Sequence, residues 1–420
     1  MILQFDVKNF KALRDVSLNL TPMHVLIGPN DSGKTTLLQA LMALSCSVSR
    51  PFAEIFPGYL RGQELVWRGK KDVLIEIRSK ITIPEGNGQY GICCDPFSGL
   101  NGMLGNDWMI VPGYEEKFQF WVDVGVAKGG SSSLREIYNS PENLPINHFL
   151  FRPIMNFLQN SSEDVSGEPE KFLQNTRAMA ESLVEVHLYQ WFPRLMALPV
   201  APDSRRRFRM DSSGFGLAML LDDILGFDRD KFIDLENRFR DIFPWVKAIR
   251  LIQEPAFRAP DNDPMGIPML EKAEGKGIYF QPTYSEELIS ATQASDGMLV
   301  ILAYLALLNL PRPPRLLLIE EPETGLHPKR LQEVLGILRT LLERQNDTQL
   351  IMTTHSPYVL DLFAPEEVTL CQRGDDGSIS LHPLSQSATV REQIDVFTLG
   401  EIWTAEGDEA LTRRIADIAP

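Results

Sequence analysis

The sequence predicts an α/β fold, a mixed sheet flanked by helices around a phosphate-binding loop, with a mainly helical lobe inserted between its two halves. Three observations lead there. A glycine-rich loop lies between an apolar strand-like run and a helix-like run, a second apolar run ends in two adjacent carboxylates, and the apolar period changes in the stretch between them. The chain has 420 residues, 44% of them hydrophobic and 23% charged, enough to bury a full core and carry an insertion.

The loop is Gly28-Pro29-Asn30-Asp31-Ser32-Gly33-Lys34-Thr35, with the spacing G-x-x-x-x-G-K-[S/T]. Its glycines let successive N–H groups point inward at a β-phosphate, and the helix that follows offers its positive end to the same anion. Lys34 is expected to reach the β- and γ-phosphates, and the Thr35 hydroxyl to ligate Mg²⁺. Met23 to Ile27 is short and apolar, as a buried strand requires, and Lys34 to Leu44 has the composition of a helix.

Ahead of the loop, Ile2 to Leu20 alternates apolar and polar side chains about Asn9-Phe10-Lys11, which predicts two antiparallel strands beside the nucleotide strand. Between Ser47 and Gln293 no further nucleotide signal occurs, so this stretch must hold the insertion. Val73 to Ile77 and Phe118 to Val124 are strand-like and are expected to extend the early antiparallel sheet across turns such as Pro84 to Gly88. From about Pro169 the period becomes helical. Phe172, Met179, Leu183 and Val186 share one helical face, and Phe232, Leu235, Phe239 and Phe243 another, with Pro193, Pro199, Pro202 and Pro244 keeping the helices short. The expected division is 1–125 and 251–390 for the two parts of the head, 126–250 for the inserted lobe and 391–420 for a helical tail.

Leu316 to Ile319 is a continuous apolar run, as for a strand covered on both faces, and it delivers Glu320 and Glu321 at its carboxyl end, where α/β sheets bind ligands. Glu320 is placed to hold Mg²⁺, directly or through water, and Glu321 to polarise an attacking water. Successive strand residues face opposite ways, so their division of labour depends on the turn beginning at Pro322. A second apolar strand, Leu350 to Thr354, ends in His355, which can hydrogen-bond a γ-phosphate or the lytic water. Ser295-Asp296-Gly297 opens an apolar helix, Met298 to Leu310; by itself it is either an anion-binding end or a plain N-cap.

These motifs resemble the ABC-type ATPase heads of the RecF, SMC and OLD group, and most closely prokaryotic AAA-family proteins that are single-chain relatives of OLD ATPases. The resemblance covers Met1 to about Ser47 and Ser290 to about Phe363, and the middle only loosely. It implies that Gly28 to Thr36 is the Walker A loop and that Ser295, Asp296 and Gly297 form the signature reaching the γ-phosphate of the opposite subunit's ATP. It further implies Walker B at Leu316 to Glu321, with Glu321 catalytic, a D-loop at Thr324 to His327 and a switch histidine at His355. Glu320 stands where most ABC proteins carry Asp, and the signature lacks the paired glycines of transporters. The Q-loop glutamine is not placed, Gln63 being a weak match. A head-to-head homodimer enclosing two ATP molecules follows from the resemblance, since each chain would hold half of each site.

Composition narrows the classes. There is no run of eighteen apolar residues, and the first residues lack the zones of a signal peptide, so a cytoplasmic protein without membrane contact is expected. Cys46, Cys93, Cys94 and Cys371 fit neither a disulfide framework nor a C-x-x-C metal site, and Cys93-Cys94 suits an apolar strand pair. A net charge of −15 gives no general attraction to nucleic acid, so DNA contact would need a local patch or a partner; Arg205-Arg206-Arg207-Phe208-Arg209 is the dense candidate, or else a solvated loop. OLD nucleases continue into a Toprim domain. Here Glu406-Gly407 echoes its opening, but nine residues follow Leu411, so no such domain is expected. Phe397 to Trp403 suggests an amphipathic terminal helix with an exposed Trp403 for a partner. The functional expectation is an ATP- and Mg²⁺-dependent switch in DNA repair or anti-phage defence, working with a separate nuclease or effector. The alternatives are an ATP-binding clamp with negligible turnover and a transporter ATPase subunit.

Overall fold

Alternating side chains make the first two strands, and a tight turn joins them. In the computed structural model, β1 (Ile2–Phe10) pairs antiparallel with β2 (Leu13–Asn19), and Asn9 and Lys11 take φ of 58° and 51° at the turn. The structure describes residues 1–49, 55–56, 62–70, 73–97, 104–110, 118–122, 175, 178–183, 186–203, 207–258, 269–344 and 347–413. Phe172 of the expected helical face, and Arg205 and Arg206, lie outside them. The chain forms two compact units, Met1–Val186 with Gln349–Pro420, and His187–Thr348.

In the first unit β3 (Met23–Ile27), buried at every residue, leads through the glycine loop into α1 (Lys34–Ser49). The strands β4 (Ile75–Ile83), β5 (Gly86–Asp95), β6 (Leu104–Ile110) and β7 (Phe118–Val122) join the early pair in one antiparallel sheet, in the order β2-β1-β4-β5-β6-β7. That sheet excludes β3, which corrects the expectation that β1 and β2 lie beside the nucleotide strand. The free edge of β1 is taken by β4, and a side chain links β1 to the other sheet. The Gln349 amide donates to the Ile2 carbonyl at 2.8 Å and accepts the Ile2 N–H at 2.9 Å, imitating a ladder pair in the buried interior. Cys93 and Cys94 sit on β5, adjacent residues on opposite faces, Cys94 being the buried one.

The first unit closes with the later strands. Beyond β8 (Val186–Tyr189), which belongs to the second unit from His187 on and makes Val186 a strand residue and not a helical one, come β13 (Gln349–Thr353), β14 (Val368–Arg373) and β15 (Ile379–Pro383). β13 and β14 flank β3 in parallel, and β15 pairs antiparallel with β14.

In the second unit β9 (Val246–Arg258), β10 (Met269–Pro282) and β11 (Ile289–Ser290) form an antiparallel sheet. A single turn, α2 (Pro193–Met196), precedes α3 (Leu217–Phe227) and α4 (Arg229–Ile242). Asp228 caps α4 by accepting the N–H groups of Asp230 and Lys231, and Phe232, Leu235 and Phe239 turn its apolar stripe inward. α5 (Asp296–Leu308) is apolar on all sides and buried from Met298 to Leu308, so it forms a central helix against α4 and α6 (Pro328–Arg344). β12 (Leu316–Glu320) is buried through Ile319.

At the carboxyl end α7 (Pro357–Leu360), α8 (Ala388–Gln393) and α9 (Leu399–Leu411) belong to the first unit. The terminal helix exists, but Trp403 is half-buried and its indole N–H donates to Asp408 Oδ1 at 2.7 Å. This corrects the expected exposed tryptophan: the ring folds back on its own helix, and Val396 and Phe397 are the exposed apolar side chains before it.

Candidate nucleotide site

The phosphate loop belongs to the first unit, and its backbone leaves little choice of residue. Gly28 has φ +134°, and a Cβ there would stand 2.2 Å from the Cys371 carbonyl oxygen of β14. Gly33 has φ +87°, and its Cβ would stand 2.7 Å from Ile379 Cγ1. Both positions therefore require glycine. Asp31 also adopts the left-handed conformation, at φ 67°. Ser32 is buried, while Pro29, Asn30, Asp31 and Thr35 face outward and Thr36 is half-buried. Lys34, only 6% exposed, donates from Nζ to the carbonyls of Gly28 and Pro29, each at 2.9 Å, and to Ser32 Oγ at 3.3 Å. A buried ammonium on a glycine loop at the start of α1 is a group a phosphate can pair with, so the residues present suit the expected nucleotide.

His355 shares this unit and this sheet edge. β13 runs parallel to β3 with Thr353 opposite Leu26, and the Thr354 N–H donates to the Leu26 carbonyl at 3.0 Å. Two residues further along each strand, His355 comes level with Gly28. Its ring is half-buried, and Thr354 Oγ1 accepts the Ser356 N–H at 3.0 Å, shaping the turn that carries it. His24 is different in kind. It is buried, bonded to Thr21 Oγ1 and Thr369 Oγ1, and burial lowers its pKa to about 4, so it is a neutral core residue.

Ser295, Gly297, Glu320 and Glu321 belong to the second unit. Ser295 is extended and exposed, and its hydroxyl makes no cap bond to α5. A Cβ on Gly297 would meet Leu326 Cδ2 at 3.4 Å, and one on Gly325 would meet Asp296 Cβ at 3.3 Å. The signature and D-loop candidates are thus packed together. Glu320 is half-buried at the end of β12, and Glu321 is exposed with φ 47°, a conformation few side chains adopt without strain. The turn runs from Pro322, as expected, and Glu321 closes it. Its carbonyl accepts the Thr324 N–H at 2.9 Å, and its Oε2 accepts the Thr324 hydroxyl at 3.4 Å. The left-handed step separates two carboxylates that adjoin in sequence.

Other candidates are answered locally. Gln63 is exposed on a short 3₁₀ turn. Arg207 lies over the Phe208 ring and 3.9 Å from Asp223 Oδ1, with its side chain 65% exposed. Burial raises the Asp223 pKa, against the Phe208 N–H and Arg207, which lower it. Arg373 was not a candidate from sequence, yet it bonds Asp31 twice; nothing in the local pattern around a strand end marks such a residue.

Two family models match parts of the chain. A family described as "AAA ATPase domain" matches residues 1–82, and one described as "AAA domain, putative AbiEii toxin, Type IV TA system" matches residues 181–361. Over these two stretches the chain is similar to AAA ATPase domains. An OLD nuclease from Thermus scotoductus (strain ATCC 700910 / SA-01) is 46% identical over 41 residues, which is 10% of this chain and 8% of that one. The chain thus matches less than a tenth of that relative's length. Among solved structures, an SMC head bound to the C-winged helix domain of ScpA is similar at TM-score 0.49 and 15% identity, over 90% of this chain and 96% of that one. The SMC head domain from Thermotoga maritima gives TM-score 0.42 at 10% identity, over 91% and 98%. Among the described residues no helix is long and apolar enough to cross a membrane.

Proposed function

We propose that this chain is a Mg²⁺-dependent ATP hydrolase acting as a nucleotide-switched homodimer, in which Ser295 and Gly297 of one copy reach the γ-phosphate held by the phosphate loop of the other. The observation that carries the reading is the phosphate loop: glycines required by positive φ and by close contacts to the Cys371 carbonyl and the Ile379 side chain, around a buried lysine. Gly28 to Thr36 would cradle the phosphates, with Lys34 exchanging its loop carbonyls for phosphate oxygens. Mg²⁺, held by Thr35 and Glu320, would supply positive charge to the β- and γ-phosphates. Glu321 would polarise the attacking water, and His355 would hydrogen-bond the γ-phosphate. A Ser295 hydroxyl that does not cap its own helix remains available for a ligand, which supports the trans role.

The cellular role we infer is DNA repair or anti-phage defence, with a separate nuclease or effector as partner. The short OLD nuclease match and the toxin-family description support it. DNA contact, if direct, would run through Arg205 to Arg209.

Glu321→Gln tests the mechanism. Removing the water-polarising carboxylate while keeping its shape should slow hydrolysis by about 10² or more and leave ATP binding intact. Mass measured in solution should then double with ATP and Mg²⁺ and remain monomeric without them. A mass that ignores ATP although ATP binds would reduce Ser295 and Gly297 to a helix start and remove the trans mechanism.

A further inference from the structure

The end of β14 holds the phosphate loop at Asp31. Arg373, the last residue of β14, donates from Nε to the Asp31 carbonyl oxygen and from Nη2 to Asp31 Oδ1, both at 2.9 Å. One planar guanidinium thus fixes the backbone and the side chain of the same loop residue, a hold that lysine cannot reproduce. Asp31 is the residue whose left-handed φ carries the loop through its bend, a conformation that Asp and Asn tolerate better than other side chains with a Cβ.

The charge arrangement has a consequence for an anionic ligand. Asp31 places a carboxylate on the loop three residues before Lys34, whose own ammonium is turned toward the carbonyls of Gly28 and Pro29. An incoming triphosphate would meet a like charge there, and the Arg373 guanidinium offsets it. The hairpin that carries Arg373 is itself tied down. Ile379 packs against Gly33, Asp376 Oδ2 lies 3.5 Å from Arg14 Nη1, and the Asp376 carbonyl accepts from Arg68. The Ser378 hydroxyl and N–H hold the Asp376 carboxyl below its ordinary range.

We propose that Arg373 is a positioning residue of the phosphate loop, which pins Asp31 in its left-handed conformation and offsets its charge so that ATP meets a loop already shaped to receive it. This rests on the reading of the phosphate loop given above. The Asp31 side chain is 77% exposed and that of Arg373 41%, so solvent screens the pair and its effect is moderate.

The test is equilibrium titration of the full chain with a fluorescent ATP analogue and Mg²⁺, which needs no turnover. Four proteins form a cycle: wild type, Arg373→Ala, Asp31→Asn and the double variant, with thermal melting to confirm that each is folded. Arg373→Ala should weaken binding by about three- to tenfold at low salt, less at high salt, while in the Asp31→Asn background, where the charge is gone but the carbonyl and side-chain oxygen acceptors persist, the same change should cost less and show little salt dependence. Arg373→Lys, which keeps the charge and loses the two-point hold, should fall between and serves if the alanine variant does not fold. Equal losses in both backgrounds would show that Arg373 does not offset the Asp31 charge and would overturn the proposal as stated, as would no loss at all. Lys34→Ala separates the two levels: if it abolishes binding while Arg373→Ala does nothing, the phosphate loop stands and the positioning role falls. If Lys34→Ala binds normally, both fall.

Discussion

At the scale of single residues, burial decides which histidine can serve chemistry and which cannot. His24 is 1% exposed, its ring nitrogens lie 3.2 and 3.0 Å from the hydroxyls of Thr21 and Thr369, and burial lowers its pKa to about 4. His187 is lowered to about 4 by burial and then by Arg209. The folded state keeps these rings neutral, whereas the unfolded chain protonates them near pH 6.5. Between pH 6.5 and 4 the unfolded state therefore binds more protons, and stability is lost as pH falls through that window. His24→Gln, which keeps a hydrogen-bonding side chain without the titration, should lose less stability than wild type between pH 7 and 4.5, by roughly 1–3 kcal/mol in melts at the two pH values. An identical loss in both would mean that His24 is not the linked group. Residues of the phosphate loop were legible in the sequence because their spacing is itself the chemistry. Arg373 was not, since its partner Asp31 lies 342 positions away and only the fold brings them together.

At the scale of elements, continuous apolar runs told their state plainly: β3, β12 and β13 are covered strands and α5 a covered helix, each where the sequence puts it. Which sheet a strand joins was not legible, because β1 alternates the same way whichever neighbour takes its edge. Nor was the fate of Trp403, which depends on Asp408 five residues on. The docking of α9 shows how tightly the last element is built in. Thr398 and Glu401 form a capping box, the Gly400 N–H donates to Asp361 Oδ1 at 3.0 Å, and a Cβ on Gly400 would stand 2.3 Å from the Pro357 carbonyl oxygen. Gly400→Ala should therefore push α9 off α7, the turn that follows His355, at about 1–3 kcal/mol. Hydrogen exchange should quicken at 357–361 and in α9 while β3 and α1 stay protected. Unchanged exchange at 357–361 would show that the two helices move independently.

At the scale of the whole molecule, net charge sets the terms of association. Each copy carries −15, so two copies closing on ATP must overcome mutual repulsion, which is screened over about 10 Å at 0.1 M salt and over less as salt rises. At fixed protein concentration, the ATP-bound dimer of Glu321→Gln should therefore gain population as KCl increases from about 50 to about 300 mM, measured by mass in solution. Nucleic-acid capture through Arg205 to Arg209 would respond the opposite way, because each neutralised phosphate releases a counterion and binding weakens with salt. Following both quantities over one salt series separates self-association from nucleic-acid binding. A dimer that dissolves as salt rises would mean that complementary charges at the closing faces outweigh the overall repulsion, and reversing single exposed charges on Ser295's side of the second unit would then locate them.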